Sequence, residues 1–300
     1  MWHLVSEPLQ VGYMRRAFAE VVLLGVFGGI VGVHVLLRRL AFLTEVVQHT
    51  VFPGIAIAFV AGGSLATGAL LSGTLAVVLV SIGGGRRRID PDALMALLLA
   101  TFFAVGVIVV SRRPGFQSDL TALLFGRILS VDQRELIDTL VVAVICIVAL
   151  ILCHKELVLR AFDPLGAEAL GYPLGRMDLL LNIVVMLVVV VAVRALGTVL
   201  VVSFVVTSAA AARLVCRRVG SMMAVAALFA VVSGCVGLIV SYNGSIHHGW
   251  RLASGATVVV ALTVGFVLVA SGRWLADRIV RSSARERRGP HPAGEVAVTS

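Results

Sequence analysis

Long apolar segments, separated by short stretches that carry arginine, restrict what this chain can fold into. An α-helix needs about 20 apolar residues to cross the hydrocarbon core of a bilayer. Only 14% of the 300 residues are charged, whereas the surface of a water-soluble domain needs about 25%. The sequence therefore predicts an all-α, polytopic membrane protein of about eight or nine transmembrane helices. The nine candidate segments are 18–37, 40–61, 65–82, 93–110, 136–153, 178–194, 196–212, 222–241 and 253–270.

The basic residues indicate how the chain is oriented. The net charge is +9, but the basic residues cluster in the loops between apolar segments, which is typical of membrane topology and not of nucleic-acid binding. Nine crossings with the N-terminus outside place most of the 25 Arg and Lys residues on the inner side; an even number of crossings fits the loops less well. We predict an N-terminal segment at 1–17, a transmembrane domain at 18–275, and a disordered cytosolic tail at 276–300 that lacks apolar periodicity.

The chain has no recognisable machinery for ATP hydrolysis. Its only lysine, Lys155, follows Cys153 and His154 and not a glycine-rich turn, so no phosphate-binding P-loop is present. No hydrolase-type grouping of Ser, His and Asp stands out either. The sequence predicts a protein that is not itself an enzyme, so any ATPase must be a separate chain.

The second apolar segment carries the most informative polar residues. Glu45 and His49 are four residues apart and share one helix face, and carboxylate and imidazole are ordinary ligands of Zn²⁺ and Mn²⁺. Counted from Arg39, they lie about 9 and 15 Å into the membrane, close to the middle of a core about 30 Å thick. Ionisable groups at that depth are expensive and mark transport pathways by default, although the pair could instead bond only a neighbouring helix.

Several other residues are candidates for a pathway or a gate. Pro53, followed by Gly54, frees a backbone carbonyl near the midplane, which is tolerated only against protein or a water-filled cavity. The remaining candidates are Gln48, next to the pair, and Ser241, Tyr242, His247 and His248 towards the outer side, where the two histidines either collect metal or are simply solvated.

Three further expectations concern the first segment. Glu20 lies near its outer end and is expected to be solvated, and His34 is expected near the inner interface. Overlapping GxxxG spacings predict close packing of helices; they are formed by Gly25, Gly28, Gly29 and Gly32.

In these motifs, the chain resembles the permeases of zinc, manganese and iron ABC importers. The resemblance runs from about residue 10 to 275 and rests on Arg38-Arg39, on Glu45 and His49, on Pro53-Gly54 and on the inner loop that begins at Phe162. Glu45 stands where the family usually has Asp. The resemblance implies that Glu45 and His49 coordinate the metal, and it implies an ATPase-contacting segment that includes Phe162, Asp163, Leu165, Ala167 and Gly171.

The same resemblance implies a set of partners. Two permease copies would form a homodimer in a bacterial plasma membrane, with an ABC ATPase subunit inside and an extracytoplasmic metal-binding protein outside. No cofactor would be bound permanently: Zn²⁺ or Mn²⁺ would be cargo, and ATP would bind the partner subunit. We expect zinc first, manganese next and iron third. The alternative is a secondary metal transporter driven by an ion or proton gradient, in which the Glu–His pair relays protons.

Overall fold

The computed structural model describes residues 10–84, 90–111, 128–247 and 253–287, and within these ranges all regular structure is helical. Eight of these helices are long and apolar enough to cross a membrane. The prediction of an all-α, polytopic membrane protein is therefore confirmed. In chain order the helices are α1 (Gly12–Leu37), α2 (Ala41–Val60), α3 (Leu65–Gly84), α4 (Pro91–Ser111), α5 (Gln133–Leu152), α6 (His154–Phe162), α7 (Pro164–Ala169), α8 (Leu174–Leu196), α9 (Thr198–Val202), α10 (Ser208–Val215), α11 (Val219–His247) and α12 (Ser254–Arg287).

The segment predicted at 196–212 differs from the other eight. Gly197, with φ at +82°, ends α8 and reverses the chain without a loop, a conformation that glycine adopts without steric cost. Then α9, a π-helical turn at Ser203–Thr207 and α10 follow one another as one composite helix. Its continuous apolar part, Leu200–Val215, is shorter than the other spans. In the part of the chain that the structure describes, eight full-length spans and one short composite helix correspond to the eight or nine spans predicted.

The centre of the molecule is formed by α1 and α8. In their most apolar stretches 67% and 72% of the residues are buried, against 17% in α4 and in α12. α1 packs along α11 and along the composite helix. A Cβ added to Gly29 would lie 2.6 Å from the backbone nitrogen of Ala227, and one added to Gly32 would overlap the carbonyl oxygen of Val205. The close packing predicted from the GxxxG spacings is confirmed.

The expectation that Glu20 is solvated is wrong. Its side chain is fully buried, because α5 packs against the outer half of α1, and Thr139 Oγ1 on α5 donates a hydrogen bond of 2.8 Å to Glu20 Oε1. His34 is also buried, at 1% exposure. Glu20, Phe27 and His34 recur every seven residues, so all three lie on one buried face of α1.

The C-terminal part of the chain is helical beyond the predicted end of the transmembrane domain. α12 continues to Arg287, beyond the boundary at residue 275, so residues 276–287 are helical and not irregular. The remainder of the predicted tail, 288–300, lies outside the described residues, as does His248.

Candidate metal site

Glu45 and His49 lie on one face of α2 and contact each other. His49 Nε2 is 3.2 Å from Glu45 Oε1, as the four-residue spacing predicts. Their side chains are 29% exposed for His49 and 38% exposed for Glu45, so the pair is open on one side in a single copy of the chain. His49 lies about 12 Å along a helix that is about 30 Å long, which places it near the middle of the span.

Neighbouring helices hold this part of α2 in place. The Phe103 ring on α4 meets the His49 ring edge to face, with 5.9 Å between ring centroids. Ser72 on α3 donates a hydrogen bond to the backbone carbonyl of Thr50. Gln48 is 4% exposed, and its Oε1 has no hydrogen-bond partner within the described part of the chain. An unpaired buried amide oxygen costs about 1–3 kcal/mol, so Gln48 is a polar group available next to the pair.

Pro53 does not interrupt α2, which continues to Val60. Gly54 and Gly68 bring α2 and α3 together there, because a Cβ on either glycine would overlap the carbonyl oxygen of the other. Beyond His49, a cavity of about 560 Å³ lies between α2, α3 and α4, and Pro53 and Gly54 are part of its wall. Pro53 and Gly54 therefore border this cavity, and Gly54 also packs against α3.

One copy of the chain supplies only part of a metal coordination shell. Among the described residues, no group of three or more His, Cys, Asp and Glu side chains could hold a metal ion. Structural and catalytic metal ions take at least three protein ligands in most sites. The Glu45–His49 pair is thus half of a site at most, and its open face is where further ligands would have to approach.

Ser241 and Tyr242, two of the outer candidates, lie on a helix that packs away from this pair within one copy. Ser241 is buried and Tyr242 is half-buried on α11, and the main packing partners of α11 are α1, α10 and α12 and not α2. His247 is the last residue of α11. The gating roles of these residues stay predictions.

The inner loop forms a short amphipathic projection. α7 (Pro164–Ala169) begins at Asp163, whose Oδ1 accepts a hydrogen bond of 2.8 Å from the Gly166 amide. This short helix lies within the inner segment predicted to contact an ATPase. It ends before Gly171, whose φ is +80°.

The apolar side chains of this projection are mostly exposed. Phe162 is 62% exposed, Leu165 78% and Leu170 70%. Ala167, predicted to contact an ATPase, is fully buried: it faces the neighbouring helices and fixes α7 to them. Several exposed apolar side chains close together outside the membrane spans indicate an interaction surface.

A cluster of charged side chains that sequence reasoning missed joins α6, next to this projection, to the turn between α1 and α2. Asp178 at the start of α8 accepts from Arg38 (Nη2 to Oδ1, 2.5 Å) and from Arg160 on α6 (Nη2 to Oδ2, 3.2 Å). Arg38 is only 12% exposed. The three residues are far apart in sequence, so no local spacing pointed to the cluster.

The fold and the candidate site together define a multi-pass membrane transport protein. The described residues form eight long apolar helices, a Glu–His pair at mid-span and an exposed apolar projection at the basic end. Comparison with known families specifies the class. The chain matches the model of the ABC 3 transport family over residues 10–272, and it belongs to that family. The predicted location in a bacterial plasma membrane is confirmed by these relationships.

Three relatives illustrate the similarity. The chain is 31% identical over 263 residues to the manganese transport system membrane protein MntC of Halalkalibacterium halodurans, covering 88% of each chain. It is 29% identical over 268 residues to the chelated iron transport system membrane protein YfeD of Yersinia pestis, covering 89% of this chain and 88% of the relative. Its fold is similar to PsaBC from Streptococcus pneumoniae, solved in complex with Fab, with a TM-score of 0.79, 27% identity, and coverage of 90% of this chain and 95% of that one.

Proposed function

We propose that this chain is the permease subunit of an ATP-driven importer of divalent metal ions, in which Glu45 and His49 coordinate the ion. The observation that carries the proposal is the contact between a carboxylate and an imidazole at the middle of a transmembrane helix, with one side open. In an apolar span such groups are expensive unless they face a partner or a pathway.

A second copy of the chain would complete the coordination shell. Two copies related by a two-fold axis present the same surface to each other, so two open Glu–His pairs would supply four ligands. The described residues of one copy supply too few ligands for a metal ion, which supports this homodimeric arrangement. Coordination there must be weak enough for release towards the cytosol.

The proposal also specifies which metal ion is transported. Carboxylate suits Mn²⁺ and Zn²⁺, whereas imidazole suits zinc and iron among other metals. The relatives described above carry manganese and chelated iron in their names, so we take manganese as the first candidate and iron as the second. The preference for zinc, expected from the sequence, stays a prediction.

Energy for transport would come from an ATPase subunit that docks on the inner projection. Phe162, Leu165 and Leu170 offer it an apolar surface. Movement of that projection would reach α2 through the cluster of Arg160, Asp178 and Arg38, because Arg38 lies in the short turn that joins α1 to α2. An extracytoplasmic metal-binding protein would deliver the ion on the opposite side. The permease forms no covalent intermediate in this scheme.

Metal accumulation in cells tests the proposal. The chain is expressed with its ATPase and metal-binding protein, and cellular manganese, iron and zinc are measured by mass spectrometry. Glu45→Gln and His49→Gln remove one ligand each with little change in volume, so both should lose most accumulation. Asp92→Asn, which removes an exposed carboxylate at the start of α4, is the matched control and should transport normally.

Two results would contradict the proposal. If both ligand variants reach the membrane and accumulate metal as the wild type does, the pair is structural. If accumulation continues when the ATPase subunit carries an inactivated nucleotide site, the chain works as a gradient-driven secondary transporter, in which the Glu45–His49 hydrogen bond would serve as a proton relay.

A further inference from the structure

A second cavity lies away from the Glu45–His49 pair, at the basic end of the molecule. It has a volume of about 540 Å³ and is bounded by α1, α5, α11 and the start of α6. Its walls are apolar, and its polar groups are three basic side chains at one end. The apolar lining includes Ile30, Ile147, Leu150, Ile151, Met223 and Ala227, and the polar end is formed by His34, His154 and Lys155.

The position of this groove matches one leaflet of a bilayer. It extends from His154 back to Ile147 on α5, and from Gly220 to Ala227 on α11. Each stretch contains eight residues, or about 10 Å from the first Cα to the last along a helix. The polar end lies where α5 ends and α11 begins, so the groove runs from the inner interface into the cytosolic half of the hydrocarbon core.

The polar end of the groove lacks a partner. His34 is 1% exposed and its Nε2 has no hydrogen-bond partner in the described part of the chain. The His154 ring lies edge to face against it, with 5.9 Å between ring centroids. A buried polar atom without a partner is unfavourable, so a ligand that brings oxygen atoms here would be stabilised.

The charges around the opening select an anion. Lys155 is exposed and lines the groove, and Arg217 and Arg218 are exposed just before α11 begins. Glu156, the next residue after Lys155, is not part of the groove lining. A metal cation would be repelled by this rim, whereas a phosphate group would be attracted, by about 1 kcal/mol for each Lys or Arg near a membrane surface.

The groove also opens towards lipid, on a different face from the proposed metal site. Ile151 is 68% exposed and Ala224 is exposed along its edge. The helices around it are α1, α5, α6 and α11, whereas α2 packs chiefly against α3, α4 and α8. A second copy that approaches the open face of Glu45 and His49 would therefore leave this groove uncovered.

We propose that this groove binds an anionic phospholipid of the cytosolic leaflet. One acyl chain fills the apolar part, the phosphate lies against Lys155 with the Arg217–Arg218 pair nearby, and head-group oxygens supply the partner that His34 lacks. The apolar walls distinguish this ligand from free phosphate, which would leave them unfilled. The proposal does not depend on the metal proposal, because it rests on other residues.

Native mass spectrometry of the full-length chain in detergent tests this binding. Phosphatidylglycerol and phosphatidylcholine with identical acyl chains are added in turn, and bound lipid is counted. We expect phosphatidylglycerol to be retained in preference. Lys155→Gln should weaken its retention about fivefold, and its control Arg176→Gln, an exposed cytosolic cation outside the groove, should not.

A second pair of variants tests the apolar part. Ala224→Trp fills the groove from its exposed edge and should abolish the bound lipid. Leu228→Trp, at a residue of the same helix that is 64% exposed and lies outside the groove, should leave the lipid in place. Both substitutions add an indole to the lipid-facing surface, so they differ mainly in whether the groove is filled.

Three outcomes would overturn the proposal. The first is equal retention of the two lipids with no effect of Lys155→Gln. The second is binding of inorganic phosphate that displaces no lipid and is lost in Lys155→Gln, which would make the site one for free anions. The third is a change from dimer to monomer mass in Ala224→Trp, which would make the groove an interface between two copies. Lys155→Gln is a surface substitution, so the test stands even if Ala224→Trp does not fold.

Discussion

Replacement of Gly29 by alanine tests the close contact between α1 and α11. A Cβ at this position would lie 2.6 Å from the backbone nitrogen and 2.7 Å from the Cα of Ala227 on α11. Ordinary contacts of a Cβ begin at 3.4 Å, so α1 and α11 would have to separate by about 1 Å in a tightly packed interior. Overpacking of this kind lowers the free energy of unfolding by about 1–3 kcal/mol. We expect a loss near the upper end of this range, because the clash is with backbone atoms, which cannot rotate away as a side chain can.

Thermal unfolding of the purified chain in detergent measures this cost. A loss of 2–3 kcal/mol should lower the melting temperature by about 5 °C or more. Gly272→Ala in α12 is the matched control, because no atom lies within 4 Å of its added Cβ; it should leave stability unchanged or raise it by up to about 1 kcal/mol through helix propensity. Since the clash is with the backbone of Ala227, the second substitution Ala227→Gly should not restore stability. Equal melting temperatures for Gly29→Ala and Gly272→Ala would refute the reasoning.

Two further predictions concern the inner end. Asp178→Asn leaves Arg38 and Arg160 without a carboxylate and should lower stability in the same thermal assay; buried pairs cost 3–5 kcal/mol to break, and because Asp178 is 35% exposed we expect about 1–3 kcal/mol. No change in melting temperature would mean that solvent already screens the cluster. Asp163→Ala removes the side chain that caps α7 through the Gly166 amide and should destabilise this helix by about 1 kcal/mol, so less ATPase subunit should copurify with the permease. Undiminished copurification would show that the cap is dispensable for docking.

Most of the transmembrane architecture follows from sequence because the bilayer imposes a simple rule. An apolar segment of about 20 residues has few alternatives to a spanning helix, and the predicted segment at 40–61 is found as Ala41–Val60. The composite helix does not follow this rule. Its π-helical turn at Ser203–Thr207 lies where α1 approaches most closely through Gly28 and Gly32, so its geometry depends on a contact between distant parts of the chain.

Buried polar groups were harder to place, for a related reason. Glu45 and His49 could be located because both the helix period and the depth in the membrane are local properties. Glu20 could not, because its burial depends on α5 and Thr139, more than a hundred residues away. The Asp178 cluster is a product of tertiary packing in the same way. A seven-residue recurrence of Glu20 with Phe27 and His34 was the one local signal of a buried polar face.

The proposed metal site illustrates a stricter limit, because the described residues of one folded copy offer it only the Glu45–His49 pair. Two protein ligands on an open helix face cannot hold a divalent ion against water with the selectivity that transport requires, whereas four can. The same incompleteness suits transport: if the ligands belong to two copies, a small relative movement of the copies changes the ion's coordination without either fold changing. The cluster of Arg160, Asp178 and Arg38 connects α6, next to the cytosolic projection, to the turn that precedes the helix carrying the pair. The affinity for the ion would therefore be set by how the two copies are held, and that is the quantity an ATPase docked on the projection can alter.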